Sequence, residues 1–189
     1  MQGRSTATMA IKSLKPNASR VDAIQAFSSH GFANKLWQMR NGPLRRIADA
    51  YVPYWLYQTR YELGGTLQTC WFALDAVDGS LDLLEFPWLP GAQELFSIET
   101  RNFLRPSLTE ARAGELIREK VLRVIFQQGF FKLRRRGLTF VREPVELHVP
   151  YWLGFHEKRG AIHCRVMDAL RRRMEGAKAC AFFEEWLAA

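Results

Sequence analysis

The chain has 189 residues, of which 48% are hydrophobic, 13% aromatic and 24% charged. This is the composition of a globular protein with one domain or two small ones, not of a disordered chain. No apolar run approaches the ~18 residues of a membrane span, and the opening MQGRSTATMAIKSLKPN lacks the apolar centre of a secretory signal, so a soluble cytoplasmic protein is expected.

Three cysteines, Cys70, Cys164 and Cys180, lack C-x-x-C spacing, which argues for buried thiols over a disulfide framework or a zinc ribbon. The net charge of +8 is uneven. Residues 1–100 hold nine basic and nine acidic side chains, and residues 101–189 hold eighteen and ten. A basic second half suits either an anionic partner or attraction between the two halves.

Residues 1–18 are polar and basic without periodicity and predict a disordered basic tail. Ser19 can cap a helix running to about Asn41, with Val21, Ile24, Phe27, Phe32, Leu36 and Met39 on its apolar face and Gly42-Pro43 ending it. A β-rich segment follows. Gly64-Gly65 is a two-residue turn signal that sets Tyr54 opposite Asp75, and Asp78-Gly79 predicts a third strand over Ser80–Phe86. Residues 87–106 read as a connector, irregular at Pro87, Pro90 and Gly91.

A second helix starts from a capping box, Ser107 to Glu110. Its apolar face carries Ala113, Ile117, Val121, Ile125 and Phe131, and Arg134, Arg135 and Arg136 before Gly137 suit its C-terminus. The next hairpin turns at Arg159-Gly160, which sets Tyr151 opposite Asp168. It puts Leu153, Phe155, Cys164 and Val166 on one face and Trp152 and Met167 on the other. Arg171-Arg172 then turns into a strand over Arg173–Lys178, and Ala179–Leu187 predicts a short helix.

Val-Pro-Tyr-Trp-Leu occurs twice, at Val52–Leu56 and Val149–Leu153. Leu74-Asp75-Ala76-Val77 and Met167-Asp168-Ala169-Leu170 follow in the same order. Gly31-Phe32 and Gly129-Phe130 match within the helices. Matches at corresponding places indicate a duplicated unit. The expected fold is α+β: two tandem helix-plus-antiparallel-sheet repeats, residues 19–86 and 107–189, with pseudo-twofold symmetry and packed as one globule.

Three groups of residues could carry chemistry. With the third strands in place, Asp75 faces Asp82 and Asp168 faces Glu175, beside Tyr54 and Tyr151. Like charges opposite one another are unfavourable, so this polar cluster implies either an acid–base or metal site or carboxylates bonded to turn backbone. His156 pairs with His163 on the outer face near His148, without a third metal ligand, and reads as an exposed hairpin histidine. Arg134, Arg135, Arg136, Arg171, Arg172 and Arg173 could grip phosphates or serve a helix end and a turn.

The Tyr-x-Pro-Tyr-Trp-Leu run at 51–56, the Leu-His-Val-Pro-Tyr-Trp-Leu-Gly-Phe run at 147–155 and the Arg172–Lys178 tail resemble a group of uncharacterised bacterial proteins that combine a P-Y-W strand with a D-A hairpin. The resemblance implies no activity, cofactor or site residue. By architecture alone the units also resemble cystatin-like and peptidase-propeptide folds.

No nucleophile elbow, phosphate loop, metalloprotease or dinucleotide motif occurs in the chain. The reading is a non-catalytic binding or assembly module acting through a groove or sheet face on an unidentified protein or a second copy, with no cofactor or metal and no membrane span. The alternatives are nucleic-acid backbone binding by the basic half, and an enzyme using the Tyr, Asp and Glu cluster.

Overall fold

A computed structural model describes residues 8–28, 31–63, 66–129 and 138–188. In chain order the elements are β1 (Met9–Leu14), α1 (Arg20–Ser28), α2 (Phe32–Asn41), β2 (Leu44–Leu63), β3 (Thr66–Asp75), β4 (Leu84–Phe86) and β5 (Leu95–Thr100). They continue with α3 (Glu110–Gly129), β6 (Thr139–Lys158), β7 (Ala161–Asp168), β8 (Arg173–Met174) and α4 (Ala177–Ala188). The class is α+β, built on a mixed sheet with strand order β4-β3-β2-β6-β1-β5, in which β7 pairs with β6 and β8 with β7.

Both hairpin registers read from the sequence are present. Tyr54 pairs with Asp75 and Trp55 with Leu74, while Tyr151 pairs with Asp168 and Trp152 with Met167. Gly64-Gly65 themselves lie outside the described residues. The third strands differ from expectation. β4 keeps the predicted register, with Ala73 opposite Leu84, but only from Leu84 onward. β8 pairs Asp168 with Arg173, not with Glu175. A two-residue turn at Arg171-Arg172 is replaced by a four-residue loop, Ala169–Arg172, in which Arg172 takes a left-handed φ of 55°.

The chain forms two compact units. One comprises residues 53–95 and 105–147, the other residues 1–52, 96–104 and 148–189. The chain passes between them within β2 and within β6, so the units do not coincide with the halves 19–86 and 107–189.

In the first unit, α3 buries Ala113, Ile117, Val121 and Ile125 of the predicted stripe against Trp55, Tyr57, Phe72 and Leu74 of the β2–β3 hairpin; Phe131, the last residue of that stripe, lies outside the described residues. The guanidinium of Arg142 lies 4.0 Å above the Trp55 ring. Gly79, at φ 70°, brings the β3–β4 loop so close to α3 that a Cβ there would sit 2.4 Å from Leu116 Cδ1. The expected capping box at Ser107 is not formed. The Ser107 hydroxyl donates to Val77 O at 2.6 Å instead, and α3 starts three residues later, with Thr109 Oγ1 accepting from Arg112 N.

In the second unit, α1 packs Ala23 and Phe27 with Met167, Ala169 and Trp152. Phe27 lies on Gly154, where a Cβ would come within 2.9 Å of its ring. Trp152 Nε1 donates to Ala18 O at 2.9 Å. On the other face, Phe183 of α4 packs at 5.3 Å from Tyr151. The β2–β3 hairpin is thus covered by a helix from the other half of the sequence, and the β6–β7 hairpin by one helix from each half.

Three segments differ from the sequence expectation. Residues 9–14, assigned to the disordered tail, form β1, parallel to β6, with Ile11 and Leu14 buried and the Ser13 hydroxyl on His148 O. The 87–106 connector contains β5, whose Phe96 and Ile98 pack on Ile11, Tyr51 and Phe103. The single helix over 19–41 is two helices. Ser19 and Asp22 cap α1 reciprocally, with Ser19 N and Oγ donating to the Asp22 carboxylate at 2.8 Å and Asp22 N donating back to Ser19 Oγ at 3.2 Å.

Because α3 shields the β2–β3 hairpin, Ile117→Ala is expected to cost ~2–5 kcal/mol in urea unfolding. A fragment of residues 1–106 should show no cooperative transition. A loss under ~1 kcal/mol, or a cooperatively folding fragment, would contradict this packing.

Candidate functional site

The carboxylates read as a polar cluster do not converge. Asp75 is wholly buried. Its Oδ1 accepts backbone N–H groups from Val77, Asp78 and Gly79 at 2.9–3.2 Å, and its Oδ2 accepts from Leu81 at 2.8 Å. One carboxylate therefore satisfies four donors of a loop that has no ladder partners. Burial pushes its pKa up, against the pull of those N–H groups. Asp82 lies outside β4 and is exposed. It is not buried beside Asp75, because the segment expected to pair is the loop that Asp75 binds.

Asp168, also wholly buried, repeats this on a smaller scale. Its Oδ1 accepts from Leu170 N and Arg171 N, both at 2.8 Å. Its Oδ2 meets Arg171 Nε at 2.5 Å. Arg171 also reaches Glu175 at 3.5 Å, and Arg173 reaches it at 3.3 Å. Two carboxylates facing one another would repel. Here Arg173 stands opposite Asp168 and Arg171 bridges Asp168 and Glu175. Burial alone would lower the Arg171 pKa, but Asp168, then Tyr151 and Glu175, outweigh it and raise it. Tyr54 and Tyr151 are buried core residues.

The basic runs divide. Arg134, Arg135 and Arg136 lie outside the described residues. In the second run Arg171 and Arg173 are engaged as above, and Arg172 reaches Asp22 at 3.4 Å. This run anchors a loop and the start of α1.

His156 does pair with His163, but it is fully buried rather than exposed. Gly42, at φ 89°, brings the end of α2 so close that a Cβ there would lie 2.0 Å from Glu157 O. Trp37 of α2 covers the imidazole edge-on, with ring centroids 4.5 Å apart, and the Arg165 guanidinium lies 4.9 Å from the centroid of the same Trp37 ring. His156 Nδ1 lies 3.0 Å from Gly42 O, which fixes the neutral tautomer with the proton on Nδ1. Burial, with Arg165 and His163 nearby, lowers its pKa despite the Gly42 carbonyl. His148 is buried as well, edge-on to Phe103. Among the described residues, no group of three or more His, Cys, Asp or Glu could hold a metal.

The feature that the sequence reading missed is α2. Its apolar stripe faces outward: Phe32 is 85% exposed, Leu36 59% and Met39 73%. Its polar side faces inward. Asn34 Nδ2 donates to Ala26 O at 3.1 Å and Gln38 Nε2 to Phe27 O at 3.3 Å, satisfying carbonyls that the last turn of α1 leaves open. Lys158 Nζ donates to Met39 O at the far end. The stripe has helical spacing, so sequence alone cannot separate an outward apolar face from a core one. The one local hint is that Asn34, Gln38 and Asn41, short of charge, line the opposite side.

No protein-family model matches the chain, and neither does any curated protein or solved structure.

Two outcomes follow from these geometries. Asp75→Ala leaves four backbone donors unsatisfied and is expected to cost ~3 kcal/mol or more, whereas Asp82→Ala should stay within ~0.5 kcal/mol. Equal costs in chemical denaturation would contradict the assignment of Asp75 to the loop. For His156 the folded pKa lies below the unfolded one, so the unfolded chain takes up the proton first as pH falls. Its contribution to stability is complete above about pH 6.5 and declines below it. His156→Gln should therefore flatten the stability loss between pH 7.5 and 5. An unchanged slope would contradict a buried neutral imidazole.

Proposed function

We propose that the protein is a non-catalytic binding module whose contact surface is the outward apolar face of α2. The observation that carries this reading is the inversion of that helix, with amide side chains bonded inward and Phe32, Leu36 and Met39 in solvent. Exposed apolar ridges of this kind oppose the hydrophobic effect in the free protein and mark interaction sites. The enzyme alternative draws less support, since Asp75 and Asp168 are bonded to loop backbone and Tyr54 and Tyr151 fill the core. Nucleic-acid binding rests on the charge of residues 101–189, with Arg171, Arg172 and Arg173 already in ion pairs.

The two Val-Pro-Tyr-Trp-Leu hairpins derive from one duplicated helix-plus-sheet unit, supported by the equivalent Tyr–Asp pairs and by carboxylates that bind the following loop in both. The site of action is the cytoplasm, supported by three free thiols.

The test replaces Phe32, Leu36 and Met39 together with Gln, which keeps helix propensity. The triple variant should melt within ~5 °C of wild type. In extracts of the native cell, wild type should run in an assembly larger than its 21.9 kDa or sediment with one, and the variant should run as the monomer. A larger drop in melting temperature, or monomeric behaviour of both proteins, would overturn the reading.

A further inference from the structure

Resting on that reading of α2, we propose that its partner is an anionic lipid surface, on which the helix lies in the plane of the headgroups.

The shape of the patch is the first argument. Phe32, Leu36 and Met39 stand at i, i+4 and i+7, one row on one side of the helix. All three are more than half exposed, so they form a projecting ridge. A protein partner must supply a groove of matching shape. A headgroup layer deforms around a ridge and takes up bulky apolar side chains to a depth of roughly 5–10 Å. The helix has ten residues, which is too short to span a bilayer but suffices to lie in its interface.

Charge is the second argument. Lys35 and Arg40 are exposed on α2, and residues 32–43 contain no acid. The end of β6 adds Lys158, bonded to Met39 O, and the turn after it the exposed Arg159, held beside α2 by the close approach of Gly42 to Glu157 and Lys158. The Glu157 side chain alternates to the face opposite that of His156 and Lys158. An apolar row with a basic rim, on a chain of net charge +8, is complementary to a negative leaflet. The same charges disfavour a second copy as the occupant, since pairing ridge to ridge would bring Lys35 and Arg40 of both chains together with no acid of α2 to answer them.

The two components act together. Three partly inserted side chains or a few basic residues alone give weak, reversible binding, and stable attachment takes both. Binding should therefore depend on lipid charge, fall with salt and require the apolar row.

The experiment is co-sedimentation of the full chain with vesicles of phosphatidylcholine alone or mixed with phosphatidylglycerol, at low and moderate salt. Wild type is compared with Phe32→Gln/Leu36→Gln/Met39→Gln and with Lys35→Gln/Arg40→Gln, all checked for folding by circular dichroism. Wild type should bind the anionic vesicles and not the zwitterionic ones. The apolar variant should lose at least about tenfold in partitioning. The charge variant should lose about tenfold or more, on the basis of about fivefold per basic residue. Absence of binding to anionic vesicles, or binding that the apolar variant retains, overturns the proposal. If vesicles fail while the native-cell assembly is still lost in the apolar variant, the partner is a protein and the α2 reading stands. If that assembly is absent as well, both fall.

Discussion

Both Val-Pro-Tyr-Trp-Leu hairpins must have their apolar faces buried, and the structure follows from how this is done. Trp55, Tyr57, Phe72 and Leu74 form a face too large to leave in water, at about 1.5–3 kcal/mol for each large side chain. In its own half of the chain α1 is engaged elsewhere, against Met167 and Ala169. α3 supplies that cover. For the β6–β7 hairpin the cover is α1 on one face and α4 on the other. Because α3 and α1 each cover a hairpin of the opposite half, neither half is complete alone, and β2 and β6 each run on from one compact unit into the other.

A second constraint is the burial of backbone at the ends of β3 and β7. Ala76 N and Ala169 N still bind Pro53 O and Pro150 O of the neighbouring strand, and the N–H groups that follow them in each loop need other acceptors. Asp75 and Asp168 supply the acceptors from inside, four donors in one case and two plus a guanidinium in the other. These residues resemble catalytic carboxylates in every property a sequence displays: acidic, beside a tyrosine, and present twice at equivalent places. Their chemistry is nevertheless directed at the backbone. An aspartate that already accepts several N–H bonds has few lone pairs left for a substrate or a metal.

The third feature is the exchange of faces on α2. Carbonyl groups at the end of α1 need donors, and Asn34 and Gln38 provide them. With that side turned inward, the apolar row has no place in the core and stands in solvent. A single arrangement thus ends one helix, covers His156 with Trp37 and exposes the ridge on which the functional reading depends.

The sequence by itself determined the α+β class, the registers of both hairpins and the buried stripe of α3. These depend on short-range information: alternation with a period of two, the sequence turn signals Gly64-Gly65 and Arg159-Gly160, and apolar residues four apart. Tertiary structure decided the rest. β1 pairs in parallel with a strand more than a hundred residues away, and no local pattern encodes such a partner. A polar residue at the buried position 13 and the buried Leu14 directly after it hid its alternation. The four-residue loop before β8 follows from Asp168 binding the amides of Leu170 and Arg171, so Arg173 and not Glu175 faces it. The stripe over Phe32–Met39 was visible as a stripe, but its direction was not. Periodicity gives the angle between side chains and leaves open whether the apolar or the amide side meets the core, and that was settled by the open carbonyls at the end of α1.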